Sequence, residues 1–171
     1  MWKLWAALFL CLFTIQLIYL IWMWWQWRKK SFKSTHTLPA TSIIICAFNE
    51  AENLRIHIPH WCDQAYDGEY EVIIINDQST DDTLKILQEF QAKYPNLKCF
   101  TNPKTNGFPG KKSALDYGIQ QASYDFLVFT DADCIPASQH WLDAMSQDSD
   151  KITLGFGDYE PKQTALNQWI R

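Results

Sequence analysis

Residues 125–134 read Asp-Phe-Leu-Val-Phe-Thr-Asp-Ala-Asp-Cys, an apolar run that ends on two acids, Asp131 and Asp133, with one small residue between them. A continuous apolar run without polar alternation fits a strand covered on both faces. Two more such runs stand upstream, residues 42–47 (Ser-Ile-Ile-Ile-Cys-Ala) and 71–76 (Glu-Val-Ile-Ile-Ile-Asn). Helical candidates fill the intervals. One covers 51–64, where Pro59 must kink or divide it. A second covers 82–94, with Leu84, Ile86, Leu87 and Phe90 at helical spacing and Ser79, Thr80 and Asp81 available as caps. A third covers 111–122. Strands alternating with helices imply an α/β fold, a mostly parallel open sheet with right-handed crossovers and helices on both faces.

Ligands of such sheets gather beyond the carboxyl ends of the strands. Each apolar run here leads into polar groups at that end: Asn49 and Glu50 after the first, Asp77 after the second, Asp131 and Asp133 after the third. Acids far apart in sequence would therefore meet at one edge of the sheet, which marks a ligand site. Paired carboxylates suit a hard divalent cation such as Mg2+ or Mn2+, whose other positions go to water and phosphate oxygens. Ala132 is small enough to let a diphosphate approach, although an Asp-x-Asp taken alone also fits an acidic turn. Asp77 could accept a hydrogen bond from a nucleobase or close an Asx-turn. Asp81 and Asp82 read as a helix start, where the dipole favours acids. Residues 106–115, Asn-Gly-Phe-Pro-Gly-Lys-Lys-Ser-Ala-Leu, place a glycine loop before a helix that opens on Lys111 and Lys112. Those lysines are either a phosphate contact or a solvated pair; the spacing is not that of a Walker loop, because Lys112 separates Lys111 from Ser113.

Taken in order, the four motifs resemble the donor-binding half of glycosyltransferase family 2, which has the GT-A fold. Residues 46–50, Cys-Ala-Phe-Asn-Glu, match the family's Pro-x-Tyr/Phe-Asn-Glu except that Cys46 replaces the proline. Residues 77–81 match Asp-x-Ser-x-Asp, residues 110–115 match Gly-Lys-x-x-Ala-Leu, and residues 131–133 match Asp-x-Asp. The resemblance covers residues 42–158. It implies that Ala47 and Glu50 contact the base and ribose of a nucleotide sugar, and that Asp77 contacts the base. Lys111 would lie near the nucleotide or its phosphates, Asp131 near the ribose or metal, and Asp133 would bind Mn2+ or Mg2+. The implied reaction is metal-dependent, inverting transfer of a sugar, a hexose as the leading expectation, from a nucleoside diphosphate. UDP is the family's common carrier, and the acceptor would be lipid-linked or a glycan.

Family members normally add an acceptor region with an acidic pair that supplies the catalytic base, and processive members add Gln-x-x-Arg-Trp. After Asp133 the sequence offers Asp143, Asp148, Asp150 and Asp158, none in the acidic-pair context, and residues 168–171 are not the processive motif. Ala165, Leu166, Trp169 and Ile170 begin an amphipathic pattern that does not continue. The expectation is a C-terminally truncated chain that carries the donor and metal site, with its base in an absent segment.

The other expectations come from charge and hydropathy. Of the 15 lysines and arginines, five (Lys3, Arg28, Lys29, Lys30 and Lys33) lie in the first 33 residues, which hold no acid. The remaining 10 bases face all 19 acids, a net charge of −9 that disfavours nucleic acid as a partner. Residues 4–25 carry no charge and, as a helix at ~1.5 Å per residue, would cross a hydrocarbon core of ~30 Å. Trp22, Trp24, Trp25 and Trp27 gather at the far end and the basic cluster follows, which predicts a single-pass membrane anchor with the remainder in the cytoplasm. The run is longer than a signal peptide's apolar core and no small-x-small cleavage pattern follows it. The division is thus an anchor over 1–27, a basic juxtamembrane linker over 28–40, and a donor-binding domain over 41–171. Five unpaired-looking cysteines favour a reducing compartment, with Cys46 and Cys134 expected as small buried thiols.

Three rivals are weighed against this reading. A haloacid-dehalogenase-type phosphatase would put Asp-x-Asp near the start of its domain. A nucleotidyltransferase would have a glycine- and arginine-rich loop where Phe48, Asn49 and Glu50 stand. A membrane-tethered nucleotide-binding or interaction protein without transferase activity is the non-enzyme alternative.

Overall fold

Four strands form one parallel sheet in the order β3-β2-β1-β4: β1 is Thr41–Ala47, β2 Tyr70–Asn76, β3 Leu97–Thr101 and β4 Phe126–Asp131. The structure is a computed structural model and describes residues 2–28, 38–103, 110–147 and 152–155. Five helices accompany the strands among these residues: α1 Trp2–Arg28, α2 Ala51–Cys62, α3 Thr83–Gln91, α4 Lys111–Gln121 and α5 Trp141–Ser146. The chain divides into two units, Met1–Thr35 and His36–Arg171.

In the second unit, side-chain alternation along β1 and β2 separates two cores. Ile43 and Ile45 of β1 and Val72 and Ile74 of β2 pack with Leu54, Ile58 and Trp61 of α2 and Ile86 and Leu87 of α3. On the opposite face Ile73 and Ile75 pack with Ala114 of α4, joined by Cys46, Phe100 and Tyr117. Both central strands are covered on both faces, which is why they read as unbroken isoleucine runs. β4 departs from that expectation: it lies at the end of the described sheet, and Phe129 is 49% exposed.

Helix α4 approaches closely at Gly118, where an added Cβ would stand 2.7 Å from Ile44 Cγ2 and 3.2 Å from Ile75 Cγ1. At the amino edge of the sheet the buried Glu71 gathers three segments. Its carboxylate accepts from Ser42 Oγ at 2.7 Å, from the Ser123 amide at 2.6 Å and from Lys98. Burial raises the Glu71 carboxyl, but these donors outweigh it and hold the group below its ordinary range.

Of the two alternatives at Pro59, division is excluded, and two further elements are added to the sequence reading. Helix α2 runs through Pro59 undivided. The proline sits in the last turn, where its missing N–H deprives a single carbonyl, and the Asp63 amide closes the helix onto the Pro59 carbonyl at 2.9 Å. The strand β3 and the short helix α5 have no counterpart in the sequence reading. β3 shows one fully buried residue, Leu97, and otherwise half-buried or exposed positions, so its apolar signal is weak.

In the first unit α1 is a single helix of 27 residues. Its stretch Trp2–Trp25 is long and apolar enough to cross a membrane, with a mean hydropathy of 2.3 over its most apolar 18 residues. The cluster at 29–33, the loop residues 106–109 and the acids and apolar residues singled out from 148 to 150 and from 158 onward lie outside the described residues.

Candidate donor and metal site

Three parallel strands deliver their carboxyl ends to one place. β1 and β2 pair Ala47 with Asn76, and β1 and β4 pair Cys46 with Asp131, so the loops that follow emerge side by side. Around them lies a cavity of about 310 Å3 lined by Cys46, Ala47, Phe48, Glu50, Asp77, Lys111, Asp131, Ala132 and Asp133. The six residues singled out from sequence, Ala47, Glu50, Asp77, Lys111, Asp131 and Asp133, thus share one cavity.

The loops after β1 and β2 are laced together. The Asn49 amide donates to Ser79 Oγ at 2.9 Å, and the Thr80 amide donates back to Asn49 Oδ1 at 2.8 Å. The Glu50 amide donates to Thr83 Oγ1 at 3.0 Å and the Ala51 amide to Asp81 Oδ2 at 3.2 Å. Asn49 and Gln78 both have positive φ, 56° and 61°, which folds each loop back over its strand. Asp81 also accepts from the Thr83 amide at 3.0 Å, so it serves the first turns of α2 and α3 together. Hydrogen bonding from Thr83 lowers its carboxyl below the ordinary range.

Asp77 is buried, and its Oδ1 accepts from Asn102 Nδ2 at 2.8 Å. Asn102 in turn donates to Ser113 Oγ in the first turn of α4, at 3.2 Å. The turn after β2 is closed by Asn76, whose Oδ1 accepts from the Ser79 amide at 2.9 Å, so that task does not fall to Asp77. Asn102 and Ser113 had no motif to announce them.

Gly110 precedes α4 with φ +54°, a conformation an L side chain rarely adopts, and so turns the chain to place Lys111 at the helix start. Lys111 Nζ donates to Asp131 Oδ1 across the cavity, and this contact raises the ammonium above its ordinary pKa. Asp131, Asp133 and Cys134 are exposed, with one ligand atom from each lying within 4.8 Å of the others. Cys134 corrects an expectation: it is exposed at the turn, its Sγ 3.6 Å from Asp133 Oδ1. Cys46 lines the same cavity as Lys111, and burial pushes its thiol up to about 11, so it stays protonated at neutral pH.

The sequence profile of Glycosyl transferase family 2 matches residues 42–169. The chain belongs to glycosyl transferase family 2. Among family relatives, glycosyltransferase AglE of Haloferax volcanii is 36% identical over 110 residues, 64% of this chain and 35% of that protein. A dolichyl N-acetyl-α-D-glucosaminyl phosphate 3-β-D-2,3-diacetamido-2,3-dideoxy-β-D-glucuronosyltransferase of Methanococcus voltae is 36% identical over 98 residues, 56% of this chain and 29% of that one. The poly-β-1,6-N-acetyl-D-glucosamine synthase of Staphylococcus epidermidis is 36% identical over 104 residues, 60% of this chain and 24% of that one. The chain therefore spans between about a quarter and a third of the length of these curated family members.

Solved structures show the same GT-A architecture. The mannosyltransferase PcManGT of Pyrobaculum calidifontis, in complex with GDP-Man and Mn2+, superposes with a TM-score of 0.63 at 23% identity, over 80% of this chain and 40% of that one. Residues 1–349 of TarS of S. aureus, in complex with UDP-GlcNAc, superpose with a TM-score of 0.53 at 25% identity, over 71% and 37%.

Proposed function

We propose that this chain carries the donor site of a membrane-anchored glycosyltransferase that moves a sugar from a nucleoside diphosphate to a lipid-linked or glycan acceptor. The observation that carries the reading is the convergence of Asp77, Lys111, Asp131 and Asp133 on one cavity beyond the carboxyl ends of the strands. A buried acid suits a base edge, and two exposed acids with a lysine paired to one of them suit a cation and a diphosphate. PcManGT with GDP-Man and Mn2+ and TarS with UDP-GlcNAc support the donor class. The names of the M. voltae and S. epidermidis relatives support the acceptor class.

The oxygen donors of Asp131 and Asp133 fit a hard divalent cation, Mn2+ or Mg2+, because they are exposed, close together and carboxylate in type. Bound there, such a cation supplies positive charge against the negative charge gathering on the departing diphosphate. Asp77 holds the base, Ala47 and Glu50 border the base and ribose, and Lys111 exchanges Asp131 for the phosphates when donor enters. Sugar transfer then breaks the bond between the anomeric carbon and the phosphate oxygen, the electron pair leaving with the nucleotide. The acceptor oxygen forms the new bond from the opposite face, which inverts the configuration, and its proton passes to a base.

Helix α1 anchors the protein, the basic residues from 28 to 33 face the cytoplasm, residues 28–40 link, and residues 41–171 bind donor from the cytosolic pool. The test is calorimetric titration of the full chain in detergent with UDP and with GDP, in Mn2+ and after chelation. Affinity should fall at least about tenfold without the metal, the worth of one charge-assisted contact. Asp133→Asn should cost more of the metal-dependent affinity than Asp81→Asn, because Asp81 is spent on the starts of α2 and α3. Equal affinity with and without metal, or the reverse ranking of the two variants, refutes this division of the acids.

A further inference from the structure

The two acids of the Asp-x-Asp motif stand in a tight turn. The Cys134 amide donates to the Asp131 carbonyl at 3.0 Å, so residues 131–134 close a four-residue turn with Ala132 and Asp133 at its centre. In such turns the central peptide, here the one joining Ala132 to Asp133, is the unit that flips between the two commonest forms. The flip carries the third residue from negative to positive φ and swings its side chain with it. Among the described residues Asn49 and Gln78 are the non-glycine positions with positive φ, so Asp133 is in the unflipped form.

One side chain holds that central peptide. His57, on α2 and 9% exposed, has its Nδ1 2.8 Å from the Ala132 carbonyl oxygen, across 75 residues of sequence. A carbonyl only accepts, so the ring carries its proton on Nδ1. The imidazole is itself walled by Trp61, fully buried, whose ring stands nearly perpendicular at 5.7 Å between centroids. Ala132 is 3% exposed and packs into the same core. The turn is thus seated from below by a methyl group and its central carbonyl is held by His57, while its two acids are exposed in the cavity.

We propose that His57 is a positioning residue for the cation site: by pinning the Ala132 carbonyl it keeps the turn in the one form that holds the Asp131 and Asp133 carboxylates together. The inference rests on the assignment of a divalent cation to those acids. It differs from general support of the core because it acts through the orientation of one peptide group. An amide at the reach of Nδ1 therefore replaces the imidazole, whereas an apolar side chain of similar bulk does not.

The test uses the full chain in detergent with UDP, well below its melting temperature, and counts free Mn2+ from its electron paramagnetic resonance signal. His57→Leu should weaken Mn2+ binding by about tenfold, the low end for loss of a partner that orients ligating groups. His57→Asn, which keeps a donor near the Nδ1 position, should recover most of it. A folded His57→Leu with wild-type affinity, or a His57→Asn as weak as His57→Leu, overturns the role of His57 and leaves the cation assignment standing. No Mn2+ binding by the wild-type chain overturns that assignment and the inference with it. Nitrogen-15 shifts of the His57 ring in the unaltered chain give a reading that needs no variant to fold. They should report the proton on Nδ1, and a proton on Nε2 alone overturns the proposal.

Discussion

Gly118→Ala is a perturbation whose sign depends on the seat of α4. On an exposed helix this change stabilises by about 0.5–1 kcal/mol, because glycine gives up the most backbone freedom. Here the new methyl would stand 2.7 Å from Ile44 Cγ2 and 3.2 Å from Ile75 Cγ1. Carbon atoms rest at about 3.5–4.0 Å, so the closer contact falls short by about 1 Å. Ile44 is fully buried and, being branched at Cβ, has no free rotation that would move Cγ2 aside. The helix must lift, and overpacking of this kind costs about 1–3 kcal/mol. The net expectation is a loss of roughly 0.5–2 kcal/mol, which lowers the melting temperature by about 2–7 °C. The same lift displaces Lys111 and Ser113 at the head of α4, so nucleotide affinity should also drop by about tenfold, as for one charge-assisted hydrogen bond. Thermal unfolding followed by circular dichroism, with calorimetry for the nucleotide, measures both. A variant that melts higher than the wild-type chain refutes the close approach of α4 to the sheet.

Three further outcomes are expected. The Glu71 carboxyl lies below its unfolded value, so its contribution to stability is fully present above the ordinary carboxylate pKa of about 4.3 and is lost as pH falls through the folded value. Glu71→Gln should therefore be less stable at pH 7 and show a shallower acid limb in stability against pH; an unchanged limb refutes the clamp. Asn102→Ala removes the amide that Asp77 accepts from and should cost about 1–3 kcal/mol together with nucleotide affinity, while a variant with unaltered affinity would show that Asp77 needs no such support. A reporter fused after Leu38 should behave as cytoplasmic, and activity of a periplasmic or lumenal reporter at that point refutes the orientation.

How far the sequence discloses this arrangement depends on which contacts carry it. β1 and β2 are legible because burial on both faces leaves unbroken isoleucine runs, and the acids that follow them are legible because the chain must leave the sheet there. β3 is hidden because it borders β2 on one side only and buries Leu97 alone among its five residues. Phe129 misleads in the other direction, apolar in composition yet half exposed. Within the site, Asp77, Lys111, Asp131 and Asp133 follow strand ends or begin a helix, positions a motif can mark. His57 and Asn102 act through partners 75 and 25 residues away, so no spacing announces them.

The lacing of the loops after β1 and β2 constrains how this pocket can be altered. Asn49 gives and takes a hydrogen bond with the neighbouring loop, and the amides of Glu50 and Ala51 end on Thr83 and Asp81. The loop after β2 closes part of its own backbone through Asn76 and Asp81, and each loop is completed by the other. A graft of 47–51 that lacks Asn49 would strand the Thr80 amide, and a graft of 76–83 that lacks Ser79, Asp81 or Thr83 would strand the amides of Asn49, Ala51 or Glu50 in turn. The two segments form a single heritable cassette, and altered recognition has to be built by exchanging residues 47–51 and 76–83 as one piece.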